Sequence, residues 1–177
     1  PVINGLSDFS HPCQALADIY TVAEKLFNLK GKTLVYVGDG NNVCNSLLLA
    51  CASVGMSMNV VAPAGFQPDK GVLKEAKELA GLKCASINLF DNPALGIKDA
   101  DVVYTDVWAS MGQEKESEER KKIFRDFQIN SSLLKQAKNN CLVMHCLPAH
   151  RGEEITDEVI DGANSVVFDQ AENRLHI

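Results

Sequence analysis

The stretch Thr33-Leu34-Val35-Tyr36-Val37-Gly38-Asp39-Gly40 decides the fold. Four apolar residues in a row behind the β-branched Thr33, without polar alternation, describe a strand buried on both faces, and the glycines after it end the strand in a turn. Residues Asn42 to Val54 then carry a helical pattern that stops at Gly55, a suitable C′ glycine. A second apolar run, Met58 to Ala62, completes a strand–helix–strand unit. Such a unit implies parallel strands joined by a crossover helix.

The alternation continues outward. Pro12 to Phe27 reads as a first helix capped at Ser10, with Leu16, Ile19, Ala23 and Leu26 on one face. Pro68 to Ala80 is helical, Cys84 to Leu89 a third strand, Pro93 to Ile97 a short turn of helix, and Val102 to Asp106 a fourth strand. A polar loop from Trp108 runs into a charged helix, Glu116 to Phe124, followed by a helix from Ser131 to Lys138. Cys141 to Cys146 is a fifth strand; a helix near Asp157 to Asp161 and a sixth strand, Ser165 to Phe168, close the chain. The charge run Glu114 to Arg125 reads as a solvated helix face. The expected fold is α/β: a Rossmann-like, doubly wound, mostly parallel sheet of order 3-2-1-4-5-6 with helices on both faces, formed by residues 1–177 as one domain.

Composition narrows the function. The chain has 177 residues and a net charge of −6, with 46% apolar and 23% charged residues. That is a folded, globular composition rather than a disordered one. No apolar run reaches the ~20 residues of a membrane span, so no membrane partner is expected. The acidic balance and the lack of a basic cluster argue against nucleic acid. Six cysteines lie mostly inside apolar stretches, which indicates a reduced, intracellular protein, and no ligand spacing indicates a metal. The chain starts at Pro1 without an initiator Met and stops at Ile177 just as an apolar pattern begins, so a piece of a longer protein is expected.

In a sheet of this order the ligand crevice lies beyond the carboxyl ends of the strands, at the reversal between strands one and four. Gly38 to Asn42, Asp106 to Gly112 and His145 to Pro148 leave the strands there. Gly38-x-Gly40 opens like a dinucleotide fingerprint, but Val43 occupies its third glycine position and strand two ends without an acidic residue. Asn41 and Asn42 stand at a helix N-terminus, where amides and free N–H groups suit an anion; for Asn41 the plainer reading is a helix cap. His11 and Gln14 share one face of a first helical turn, a place suited to a polarised carbonyl, although a lone His there is more often structural. Asp106 closes an apolar strand and is either functional or a loop anchor. Cys146 is either a nucleophile, with His145 or His150 as base, or an inert buried thiol.

Five segments in order resemble the ornithine carbamoyltransferase family: His11-Pro12-Cys13-Gln14-Ala15-Leu16-Ala17-Asp18, Gly38-Asp39-Gly40-Asn41-Asn42, Asp106-Val107-Trp108-Ala109-Ser110-Met111-Gly112, His145-Cys146-Leu147-Pro148 and Ala171-Glu172-Asn173-Arg174. The resemblance spans nearly the whole chain, and covers only the family's ornithine-binding second domain. The family's Ser-x-Arg-Thr phosphate loop, the rest of its carbamoyl-phosphate domain and its last helix are missing. The implied reaction joins carbamoyl phosphate and L-ornithine to give citrulline and phosphate, in arginine metabolism, by direct attack of the δ-amine without metal, cofactor or covalent intermediate. The resemblance assigns His11, Gln14, Cys146, Leu147 and Arg174 to carbamoyl phosphate, and Asn42, Asp106, Ser110 and Met111 to ornithine. It makes His11, Cys146 and Arg174 catalytic; His11 polarises the carbonyl, and Cys146 hydrogen-bonds or handles a proton rather than attacking. It also implies a homotrimeric parent joined through the absent domain, in the cytoplasm or, for a eukaryotic parent, the mitochondrial matrix. The isolated chain is expected to be inactive and monomeric or weakly associated.

Relatives separate on the same segments. Aspartate carbamoyltransferases typically read His-Pro-Leu-Pro-Arg where this chain reads His145-Cys146-Leu147-Pro148. Putrescine carbamoyltransferases share that segment but lack the Ser-Met pair. The alternatives carried forward are therefore a putrescine or other amine carbamoyltransferase, a non-catalytic amino-acid-binding module, and a nucleotide-binding oxidoreductase.

Overall fold

A computed structural model describes residues 1–109 and 117–177. Its sheet has five strands, β1 (Thr33–Val37), β2 (Ser57–Val61), β3 (Ile87–Phe90), β4 (Val102–Thr105) and β5 (Leu142–His145), in the order β3-β2-β1-β4-β5. Every pairing is parallel. Helices α2 (Asn42–Val54) and α3 (Lys70–Leu82) cross over on one face, where α1 (Pro12–Leu26) also packs. Short helices α4 (Pro93–Gly96), α6 (Ser131–Leu134) and α7 (Asp157–Ile160), with α5 (Ser117–Phe124), occupy the return connections. Helix α8 (Val167–His176) lies along α1 and beside β5. Among the described residues no helix is long and apolar enough to cross a membrane.

The core follows from the two-residue period of the strands. Leu34, Tyr36, Met58, Val60, Val102, Tyr104 and Met144 face α1, α2 and α3. Their neighbours Val35, Val37, Val61, Val103 and Val143 face Ile97, Phe124, Ile155 and Val159. Both faces are covered, which is why the strands show no polar alternation. The reversal of strand order at β1 and β4 stands where the sequence places it, and α2 has the expected bounds, with Gly55 in the left-handed conformation (φ 77°).

Other expectations are corrected. Among the described residues there is no sixth strand: Ser165 makes one isolated bridge to Val143, and Val167 begins α8. The β-branched pair Val166-Val167 splits between the two cores while Phe168 is 73% exposed, so packing overrides strand propensity. Helix α1 has no Ser10 cap; His11 holds the cap position without a side-chain hydrogen bond. Leu16 is exposed, and the buried face carries Gln14, Asp18 and Thr21, because α8 presents polar Gln170 and Asn173 to it. Helix α6 stops at Leu134, freeing Lys138 to turn back and bind Asp101 at 2.8 Å. Strand β3 starts only at Ile87, after Cys84 in an exposed left-handed turn (φ 57°). In the charged helix, Arg120 is buried rather than solvated, against Asp39 (2.6 Å) and the Trp108 carbonyl (2.8 Å).

Candidate active site

Three strands deliver their carboxyl ends to one edge of the sheet. Gly38 leaves β1 at φ 147°, and Gly40 lets the Gln67–Pro68 main chain approach so closely that a Cβ would stand 2.2 Å from Pro68 N. Gly38 therefore serves the turn and Gly40 the chain packing, and the space beside Gly40 that a pyrophosphate would need is filled. This removes the dinucleotide reading of Gly38-x-Gly40. Asn41 caps α2, its Oδ1 accepting from the N–H groups of Val43 and Cys44 and from the Tyr36 hydroxyl. Its Nδ2 donates to Asp106 Oδ2 at 2.7 Å. The cap reading of Asn41 holds, but the residue also aims the carboxylate.

Asp106 is almost fully buried and takes two further donors on Oδ1: the Val107 N–H at 2.8 Å and the Cys146 thiol at 2.9 Å. Burial first, then the Asp106 charge and hydrogen bond, push the Cys146 thiol well above its ordinary value. It is a protonated donor, and the nearby His145 ring has both nitrogens engaged elsewhere. His145 Nδ1 accepts from the Leu147 N–H at 2.8 Å, so its proton resides on Nε2, which donates to Glu154 Oε1 at 2.9 Å. His150 is exposed, its Nδ1 4.0 Å from Glu153. The nucleophile reading of Cys146 is set aside.

Glu154, fully buried, also accepts from the His150 N–H at 2.6 Å and so pins the turn after β5. Leu147 sits in that turn with φ 56°, a conformation that non-glycine residues rarely adopt and that concentrates at functional sites. Ligating atoms of Asp106, His145 and Cys146 lie within 4.8 Å of one another. Both His145 nitrogens and the thiol are nonetheless committed to protein partners, which does not suit a cation.

At the neighbouring helix start, His11 donates its main-chain N–H to Ser46 Oγ at 2.8 Å, while its buried ring Nδ1 has no hydrogen-bond partner among the described residues. Burial, then the positive charge of Arg174, hold the imidazole below its ordinary value, only partly offset by the Gly5 carbonyl and the Asp106 charge. It is a neutral ring whose single N–H the Gly5 carbonyl takes, which leaves Nδ1 as an acceptor. Gln14 is tied through Nε2 to Asp18 at 2.8 Å. Arg174, on α8, is close enough for its charge to act on both His11 and Asp18.

The structure thus brings together Asp106 and Cys146 on one side and His11, Gln14 and Arg174 on the other, with Leu147 in the turn that follows Cys146. Asn42 stands apart: its Nδ2 donates to the Ser7 carbonyl at 2.8 Å and its Oδ1 accepts from Val43 N. Ser110 and Met111 lie outside the described residues. Sequence reasoning missed Asp18, Tyr104, Glu154 and Gln170, and it missed the bond from Asn41 to Asp106; a buried acid four residues after Gln14 was the one local signal available.

Residues 30–177 match the family model described as aspartate/ornithine carbamoyltransferase, Asp/Orn binding domain, and the chain belongs to that family. Over 176 residues it is 61% identical to the ornithine carbamoyltransferase of Pyrococcus horikoshii, covering 99% of this chain and 56% of that protein. The solved ornithine carbamoyltransferase from Pyrococcus furiosus superimposes with a TM-score of 0.96 at 61% identity, over 99% of this chain and 56% of that one. The corresponding structure from Gloeobacter violaceus gives 0.93 at 49% identity, over 99% and 59%. This chain therefore spans a little more than half the length of these relatives.

Proposed function

We propose that this chain is the ornithine-binding half of an ornithine carbamoyltransferase, and that the carbamoyl group of carbamoyl phosphate passes to the δ-amine of L-ornithine across the edge described above. The observation that carries the reading is the buried Asp106 carboxylate, braced by Asn41 and bonded to the Cys146 thiol at 2.9 Å. A fixed anion at a substrate edge favours an α-ammonium and repels a dicarboxylate such as aspartate. Putrescine carries a second ammonium at the same separation and differs in lacking the α-carboxylate, so it would leave the residues assigned to that group without a partner.

The amine, with an intrinsic pKa near ~10, attacks only when neutral. Its nitrogen bonds the carbamoyl carbon, the carbon–oxygen bond to phosphate breaks, phosphate leaves with the electron pair, and the nitrogen sheds a proton. His11, kept neutral, exchanges the Gly5 carbonyl for the carbamoyl oxygen and donates its N–H there as charge builds, and the Arg174 cation supplements it. Gln14 contacts the carbamoyl group, while Cys146 and the Leu147 main chain lie beside the reacting amine. Asn42, with Ser110 and the main chain at Met111, completes the hold on the amino acid. For Asn42 to bind the carboxylate, its amide must exchange the Ser7 carbonyl for the substrate. Positioning of two substrates contributes roughly 7–11 kcal/mol to such a transfer, so no covalent step is required.

A citrulline assay tests this, first on the 177-residue chain and then on the chain joined to the segments of the Pyrococcus horikoshii relative that it lacks. No citrulline from the chain alone and turnover after joining are expected. Turnover by the chain alone would mean that it grips phosphate itself; no turnover after joining would dispose of the reading. The joined enzyme should be a trimer and the isolated chain a monomer or weak associate. Light scattering that showed a stable trimer of the isolated chain would contradict this.

A further inference from the structure

We propose that Asp18 is a positioning residue that fixes which end of the Gln14 amide meets the substrate, so that the site demands an N–H donor at that point. The inference rests on the reading above, in which Gln14 faces the carbamoyl group.

A chain of forced directions leads to it. The His145 main-chain N–H can only donate, and it donates to Gln170 Oε1 at 3.0 Å. Gln170 must then turn its Nε2 the other way, where it reaches Asp18 Oδ1 at 2.7 Å and Tyr104 Oη at 3.2 Å. Asp18 Oδ1, already accepting, takes a second donor, Gln14 Nε2, at 2.8 Å. Gln14 therefore presents its oxygen outward, and that oxygen accepts no hydrogen bond among the described residues. A glutamine amide is otherwise free to flip, and here the flip is decided three residues away by a main-chain donor of β5. Asp18 has no solvent exposure, so water cannot substitute for either amide.

The consequence is chemical selectivity. An acceptor fixed at this point pairs with the amino group of a carbamoyl unit and leaves a methyl group in its place unpaired. Asp18 Oδ2 is buried and has no hydrogen-bond partner among the described residues. Burial raises the carboxyl to about 7, against the Gln14, Gln170 and Tyr104 hydrogen bonds and the Arg174 charge on α8. The other titratable groups that feel it are Cys51 on α2 and Cys146 after β5.

The test uses the joined enzyme and a double-mutant cycle on citrulline formation. Asp18→Ala should lower kcat/KM for carbamoyl phosphate on the order of 10- to 100-fold, with the KM for ornithine within about twofold. In a Gln14→Ala background the same change should cost less than about threefold, because Asp18 acts through Gln14. Acetyl phosphate, with methyl for amino, should compete poorly with carbamoyl phosphate in the parent and roughly tenfold less poorly in Asp18→Ala. Asp18→Asn keeps an oxygen for both amides and should recover part of the loss. If Asp18→Ala does not fold, Asp18→Ser repeats the cycle, since its hydroxyl is too short to reach both amides. Losses that multiply in the double variant, or equal rises in KM for both substrates, would overturn the proposal. An inactive parent would instead overturn the functional reading, and this inference with it.

Discussion

Asp106 receives a main-chain N–H, an amide and a thiol, more than a loop anchor needs, and so it should show in substrate affinity. In the joined enzyme Asp106→Ala should weaken ornithine by about 1.5–3 kcal/mol, the worth of a hydrogen bond to a charged group. Carbamoyl phosphate should be affected far less. Equal losses would make Asp106 structural. The thiol beside it gives a chemical readout. Reactive cysteines are thiolates, and burial together with the Asp106 anion keeps Cys146 protonated. Mass spectrometry after iodoacetamide at pH 8 should therefore find the exposed Cys84 alkylated well before Cys146. Asp106→Ala should speed labelling of Cys146, since it removes the anion. Labelling of Cys146 as fast as Cys84 in the parent would count against the protonated thiol.

At the scale of elements, the N-terminus of α2 is where one side chain serves two structures. Asn41→Ala removes a helix cap, worth about 1 kcal/mol, and strips Asp106 of its amide donor. Urea unfolding should show a total loss of roughly 1.5–3 kcal/mol, more than a cap alone. Gly40→Ala should be worse, above about 3 kcal/mol, because the new Cβ meets rigid main chain at Pro68 rather than a movable side-chain tip. Across the same edge, Arg120 joins the turn after β1 to that after β4 through Asp39 and the Trp108 carbonyl, and stacks on Phe66 at 5.0 Å. Strands β1, β2, β4 and β5 were legible within a residue or so at each end, because burial on both faces leaves long apolar runs. The false sixth strand had the same composition, but only the neighbours of Val166 and Val167 decide that the chain coils there.

The whole molecule carries Asp18 as a buried acid between α1 and α8, and its titration should be visible in stability. Its folded value is about 7 against an ordinary 3.8, so between those values the folded state holds the proton more tightly than the unfolded one. Stability from this group is present at acid pH and is lost as pH rises towards about 7, remaining flat above. Asp101, held low by Lys138, works in the opposite sense, its contribution lost as pH falls. The Asp18 part is isolated as the difference between parent and Asp18→Asn: chemical unfolding from pH 4 to 8 should show Asp18→Asn gaining relative to the parent as pH rises. A pH-independent difference would place the Asp18 pKa outside that range.

What the sequence determined by itself was whatever depends on local period and on residues adjacent in the chain. The parallel α/β architecture, the reversal between β1 and β4, the span of α2, and the candidate residues at strand and helix ends all came from runs, glycine punctuation and short motifs. Only the tertiary structure decided how those residues are oriented and protonated. Asp106 meets Cys146 across 40 residues and Asn41 across 65, and Gln170 meets Asp18 across 152. The physical reason is that hydrogen-bond direction and desolvation belong to neighbours in space, and no pattern along the chain encodes which buried donors and acceptors will be brought within 3 Å of one another.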